Sequence, residues 1–142
     1  LQTLHGRKMF VGLSRCMKPG TPLLAHHDMF ARHAPNTPEG KSLISQFGIN
    51  VYVDVPAQGG ELAMWMEEIS DAEFLRLRSD KYAIPLECLD APDLKVKPQK
   101  GDLILFNARK LHAVLPGVGS DRLTLSAFFG YRGNSHGLTV WS

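Results

Sequence analysis

The stretch Leu23-Leu24-Ala25-His26-His27-Asp28-Met29-Phe30 decides how this chain is read. Two apolar residues lead into His26 and Asp28. These stand two positions apart, so on a β-strand they share one face. A histidine and a carboxylate converging from one strand are two-thirds of a 2-His-1-carboxylate metal triad, provided a second histidine arrives later. Alone the pair carries little weight. With six His in 142 residues, a chance His-x-Asp is expected roughly 0.3 times at ordinary composition. The rest of the chain has to supply the remaining parts.

Working outward, turn chemistry separates short extended runs. Lys8–Met17 closes on Lys18-Pro19-Gly20, and Thr21–Phe30 carries the opening motif. Ala31–Lys41, with two prolines and a glycine, reads as a loop. The strongest strand is Gly48–Val55, rich in β-branched and aromatic residues; the turn at Pro56–Gly60 and the extended Glu61–Trp65 after it read as a hairpin. Ser70-Asp71-Ala72-Glu73 has the form of a capping box, which predicts one helix running to about Ala83, before Pro85. Further strands follow at Asp102–Phe106, Leu111–Val118 and Arg122–Tyr131. About eight such runs with one helical insert around residues 70–84 predict a mainly β domain, an antiparallel sandwich or barrel.

Composition narrows the function classes. At 142 residues the chain is expected to be a single domain, residues 1–142. A net charge of +2 with scattered Lys and Arg argues against nucleic acid, and no apolar run is long enough to span a bilayer. Cys16 and Cys88 show no framework spacing, which points to a reduced, cytoplasmic setting. No Gly-x-Ser-x-Gly elbow supports a hydrolase. The chain opens at Leu1 without Met, so it reads as a piece of a longer protein that lacks an N-terminal portion.

Two later features sharpen the opening motif. His112, shortly after the Asp102–Phe106 strand, is the candidate second imidazole, brought to His26 and Asp28 by barrel closure. Arg122 follows ten residues later, and alternation places it on one face with Thr124, Ser126 and Phe128. A guanidinium on an otherwise apolar inward face is costly unless it meets an anion, and its fork of donors suits a carboxylate.

With His26-x-Asp28, Gly59-Gly60-Glu61-Leu62, Gly101–Phe106 before His112, and Arg122-x-Thr124 in this order, the chain resembles the iron(II)- and 2-oxoglutarate-dependent oxygenases of the double-stranded β-helix (jelly-roll, cupin-like) fold. The resemblance runs from about Met9 to Tyr131. It implies that His26, Asp28 and His112 bind Fe(II) and that Arg122 holds the distal carboxylate of 2-oxoglutarate with Thr124 beside it. Leu62 and Met64 are then apolar walls of the cosubstrate pocket. It further implies a dioxygenase that consumes O2, converts 2-oxoglutarate to succinate, is stimulated by ascorbate and hydroxylates an unactivated C–H bond. A small molecule, an amino acid or a natural-product intermediate, is the expected substrate, with a peptidyl-prolyl or other protein target as the alternative. Related halogenases replace the carboxylate with Gly or Ala, so Asp28 favours hydroxylation; desaturation would use the same ligands. A cupin isomerase or binding module remains the rival within the same fold, although it leaves Arg122-x-Thr124 unexplained.

Other residues are given bland roles. His27 is expected to face away from the metal, and His5, His33 and His136 to be solvated. Tyr52, Trp65 and Trp141 read as core, and Arg109 and Arg132 as exposed side chains that could anchor substrate. The Ala31–Lys41 and Met66–Pro92 segments are the natural lids over the barrel mouth.

Overall fold

Elements alternate between two antiparallel sheets in the computed structural model, which describes residues Leu1–Ser142. A small ribbon of β1 (Thr3–Leu4) and β2 (Arg7–Lys8) precedes β3 (Leu13–Met17) and β4 (Leu23–His26). Two one-turn helices follow, α1 (Phe30–His33) and α2 (Pro38–Lys41), then the long β5 (Ser45–Asp54), β6 (Gln58–Gly59) and β7 (Leu62–Trp65). After α3 (Asp71–Arg78) come β8 (Leu94–Val96), β9 (Leu103–Asn107), β10 (Leu111–Val114), β11 (Gly117–Val118), β12 (Arg122–Tyr131) and β13 (Thr139–Trp141). The major sheet runs β13-β12-β5-β9 with β3 also on β12, and the minor sheet runs β4-β10-β7-β8. This is the mainly β, antiparallel architecture that the turn spacing predicts, in the double-stranded β-helix arrangement that the resemblance implies. No helix is long and apolar enough to cross a membrane.

Three local expectations are corrected. Gly48–Val55 and Glu61–Trp65 do not form a hairpin: β5 bonds to β9 and β12, while β7 bonds to β10 and β8. The chain between them changes sheets through β6, which pairs with β11. There Gly59 holds φ +71° and a Cβ would lie 2.0 Å from the Pro116 carbonyl oxygen, so only glycine fits. The Ala31–Lys41 loop contains α1 and α2; the α2 N-cap is Thr37, whose hydroxyl accepts from Gly40 N at 3.1 Å, with Pro38 at the first helical position. The capped helix at Ser70 forms, with Ser70 accepting from Glu73 N at 3.1 Å, but it stops at Arg78. Ser79 turns to φ +53° and Arg78 donates to the Lys81 carbonyl, ending the helix five residues early.

Packing explains the burial of the minor sheet. Ala25, Ala63, Trp65, Leu111 and Ala113 turn outward and meet Ile84, with Phe74, Leu77 and Leu86 of the insert packed over them. Their neighbours His26, Met64 and His112 therefore point the other way, toward the major sheet. With both faces covered, every residue of β7 and β10 is buried. A truncation such as Leu111→Ala is expected to cost about 2–5 kcal/mol.

The major sheet inverts the usual pattern. Rows of cross-strand partners on its inner face are Arg15–Thr124–Tyr52, Leu13–Ser126–Asn50–Ile104 and Phe128–Gly48–Phe106. Its outer rows are apolar: Val51 lies between Leu125 and Leu103, and these two leucines are 47% and 59% exposed. The polar rows face the space between the sheets.

Candidate active site

His112 and His26 are direct partners across β10 and β4, with ring centroids 4.4 Å apart. Each ring is oriented by its own strand. His26 Nδ1 lies 2.8 Å from the Leu24 carbonyl, and His112 Nδ1 lies 2.9 Å from the Lys110 carbonyl. A carbonyl can only accept, so both Nδ1 atoms carry the proton and both Nε2 atoms present a lone pair, the tautomer a metal requires. The Nε2 atoms converge on one oxygen: Asp28 Oδ2 is 3.8 Å from His26 and 3.4 Å from His112. The three ligand atoms lie within 4.8 Å of one another, a grouping able to hold a metal ion.

Asp28 reaches this position from outside the strand. The shared strand face expected for His26-x-Asp28 is replaced by a bend past the end of β4, held by the Asp28 N–H donating to the Ala108 carbonyl at 2.8 Å. The electrostatics keep the set ready for a cation. Burial, reinforced by the charge of His112, pushes His26 below its ordinary value. For Asp28 burial opposes ionisation, but the contact with His112 and the charge of His26 outweigh it, and the carboxyl stays below its usual range.

Arg122 forms the opposite end of the same cavity. It is 4% exposed, and its guanidinium carbon stands 5.0 Å from the centroid of the Tyr52 ring. Neither Arg122 Nε nor Tyr52 Oη, both buried, has a hydrogen-bond partner. Thr124 is buried beside them, in register with Tyr52. Two buried donors left without partners would cost roughly 1–3 kcal/mol each, a cost that a carboxylate between them removes. The donor set therefore fits a dicarboxylate that spans from the triad to Arg122. Leu62 is buried on the cavity wall. Met64 lines a neighbouring crevice with Leu94 and Ile104 instead.

The remaining residues sort by contact. His27 faces away from the triad, stacked on Phe74 at 4.4 Å and touching Arg32; His33 lines the outer cleft. Trp65 and Trp141 are core, the former donating to the Asp90 carbonyl at 2.9 Å. Arg109 and Arg132 are held within the chain: Arg109 donates to the Ile44 carbonyl, and Arg132 ties Ser42, Thr139 and Gln2 together. The two lids do flank an open cleft that reaches His26 and Asp28, and Arg32 of α1 pairs with Asp71 of α3 across it.

Sequence reasoning missed Arg15, Asn50 and Phe106, which line the cavity, and understated Tyr52. Phe106 sits edge-on to His112 at 4.8 Å and owes its place to Gly48, where a Cβ would lie 2.5 Å from the ring. The signal was present in the even positions of β5, whose residues Gly48, Asn50 and Tyr52 are poor choices for a hydrocarbon core face.

The description "2OG-Fe(II) oxygenase superfamily" matches residues 11–130. The L-gamma-glutamyl-L-propargylglycine hydroxylase of Streptantibioticus cattleyicolor is 31% identical over 141 residues, 99% of this chain and 51% of that protein. An N-substituted L-amino acid dioxygenase from Burkholderia ambifaria superposes with a TM-score of 0.69 at 23% identity, over 95% of this chain and 54% of that one. Its complex with alpha-KG gives 0.67 at 24% identity, over 93% and 52%. The chain spans about half the length of these relatives.

Proposed function

We propose, for a chain that belongs to the 2OG-Fe(II) oxygenase superfamily, that it hydroxylates an unactivated C–H bond of a small molecule derived from an amino acid. Residues 1–142 act as one oxygenase domain. The observation that carries this reading is the pairing of two oriented imidazoles and a carboxylate at one end of a cavity with the orphaned Arg122 and Tyr52 donors at the other. The family uses Fe(II), 2-oxoglutarate and O2. Bound together they supply the oxidising power, as 2-oxoglutarate is converted to succinate and carbon dioxide.

The chain's own residues then have distinct tasks. His26, Asp28 and His112 hold the metal with their tautomers preset by the Leu24 and Lys110 carbonyls. Arg122, with Thr124 and Tyr52, holds the distal carboxylate of 2-oxoglutarate and fixes its direction. Leu62 and Phe106 exclude water from the space between. Asp28 fills the ligand position that a halide would need, so hydroxylation is favoured over halogenation. The substrate class is supported by the relatives' names, a hydroxylase of a γ-glutamyl amino acid and a dioxygenase of N-substituted amino acids. A cupin isomerase would leave the buried Arg122 without a ligand.

The test is succinate formation from 2-oxoglutarate in the presence of iron, ascorbate and candidate amino-acid derivatives, with product identified by the mass of one added oxygen. Protein that binds no 2-oxoglutarate with metal present would sink the proposal.

A further inference from the structure

The triad and Arg122 occupy two stations of the cavity, yet a third charged group lines it without a task. Arg15 lies on β3 in register with Thr124, itself opposite Tyr52. Residues paired across neighbouring strands share a face, so Arg15 extends the inner row and not the outer surface. It lines the same cavity as His26, Asp28 and Arg122. Arg32, Arg109 and Arg132 are each held by partners within the chain, whereas the half-buried Arg15 side chain makes no hydrogen bond or ion pair.

The location is also the one an exchanging molecule can reach. β3 pairs with β12, and after a short turn the chain enters β4 at the edge of the minor sheet, so Arg15 stands at the seam between the sheets. Arg122, opposite Met17 on the same strand pair, is 4% exposed, whereas Arg15 is only half-buried. Charge balance points the same way. Asp28 is the only acid lining the cavity, against Arg15 and Arg122. On the reading proposed above, a divalent metal and the 2-oxoglutarate dianion cancel each other, and one positive charge of the three residues is left over. A single further carboxylate neutralises it.

We propose that Arg15 anchors a carboxylate of the organic substrate beside the metal site, which makes the enzyme selective for free acids over their neutral derivatives. This rests on the proposed function and is tested apart from turnover. Protein loaded with a redox-inert divalent metal is titrated calorimetrically with 2-oxoglutarate, then with a panel of N-substituted L-amino acids and γ-glutamyl dipeptides, each alongside its carboxamide. Wild-type protein is expected to prefer acids by about tenfold or more. Arg15→Gln erases that preference while its 2-oxoglutarate affinity stays within about twofold, and Arg15→Lys keeps part of it. The proposal is overturned by a wild type that does not distinguish acid from amide, or by Arg15→Gln retaining the full preference. It is also overturned if the loss in Arg15→Gln falls on 2-oxoglutarate, which would assign Arg15 to the cosubstrate. Failure of the proposed function itself is seen earlier, as wild-type protein that does not bind 2-oxoglutarate.

Discussion

The Asp28 backbone is held by its N–H bond to the Ala108 carbonyl (2.8 Å), and its carboxylate meets only the two imidazoles, so the carboxylate can be removed without loosening the bend. Asp28→Gly is expected to abolish hydroxylation while leaving circular dichroism and the metal-free melt close to wild type; a variant with full hydroxylation overturns the ligand assignment. At the other end, Arg122→Gln removes a charge-assisted partner worth roughly 1.5–3 kcal/mol, and weaker 2-oxoglutarate binding of about tenfold to a hundredfold is expected by calorimetry. His27 gives a pH signature. Burial first, and then Arg32, hold it at about 4 in the folded protein, against 6.5 for a free imidazole. Between those values the unfolded chain binds more protons, so metal-free stability falls as pH drops from 6.5 toward 4, with the loss complete below that range. His27→Gln is expected to flatten a series of thermal melts over this window, leaving the residual slope due to His26, which shifts in the same direction.

At the scale of elements, α3 is a lid that rests on the minor sheet through Phe74 and Leu77 but buries no residue fully. Its order depends strongly on its cap. Ser70→Ala is expected to cost about 1 kcal/mol locally, read as faster hydrogen exchange of the α3 amides with little change in the global melt. The capping box was legible because it is a contact between residues three apart. The end of the helix was not, because no local pattern announced the positive φ of Ser79. β5 shows a second limit. Its apolar odd positions mark a strand correctly, yet strand periodicity does not say which face is inside. Here the apolar set looks outward, and Asn50 and Tyr52 line the cavity side. The hairpin reading failed for a related reason: a turn between two extended runs says nothing about whether they bond to each other or enter opposite sheets.

For the whole molecule, the triad ties β4 and the bend after it to β10, positions more than eighty residues apart in sequence, and metal binding should therefore act on global stability. A divalent metal at a hundredfold over its dissociation constant is expected to add about 2.7 kcal/mol. The resulting rise in melting temperature should be reversed by chelator and absent in His112→Ala. A melt unmoved by metal would argue against the triad as a site. The sequence by itself determined the residue types and their order: a His-x-Asp after an apolar lead, a histidine behind a Gly-Asp strand, an Arg-x-Thr at the head of a long β run, and turns dense enough to predict an antiparallel sandwich or barrel. Only the tertiary structure decided who meets whom. His26 faces His112, Thr124 faces Tyr52 and Arg15, and Asp28 turns in from beyond its strand. The physical reason is that local propensity acts over a few residues, whereas these contacts join positions tens of residues apart. Such contacts follow from strand register, which is set by how the two sheets pack and not by any one segment of the chain.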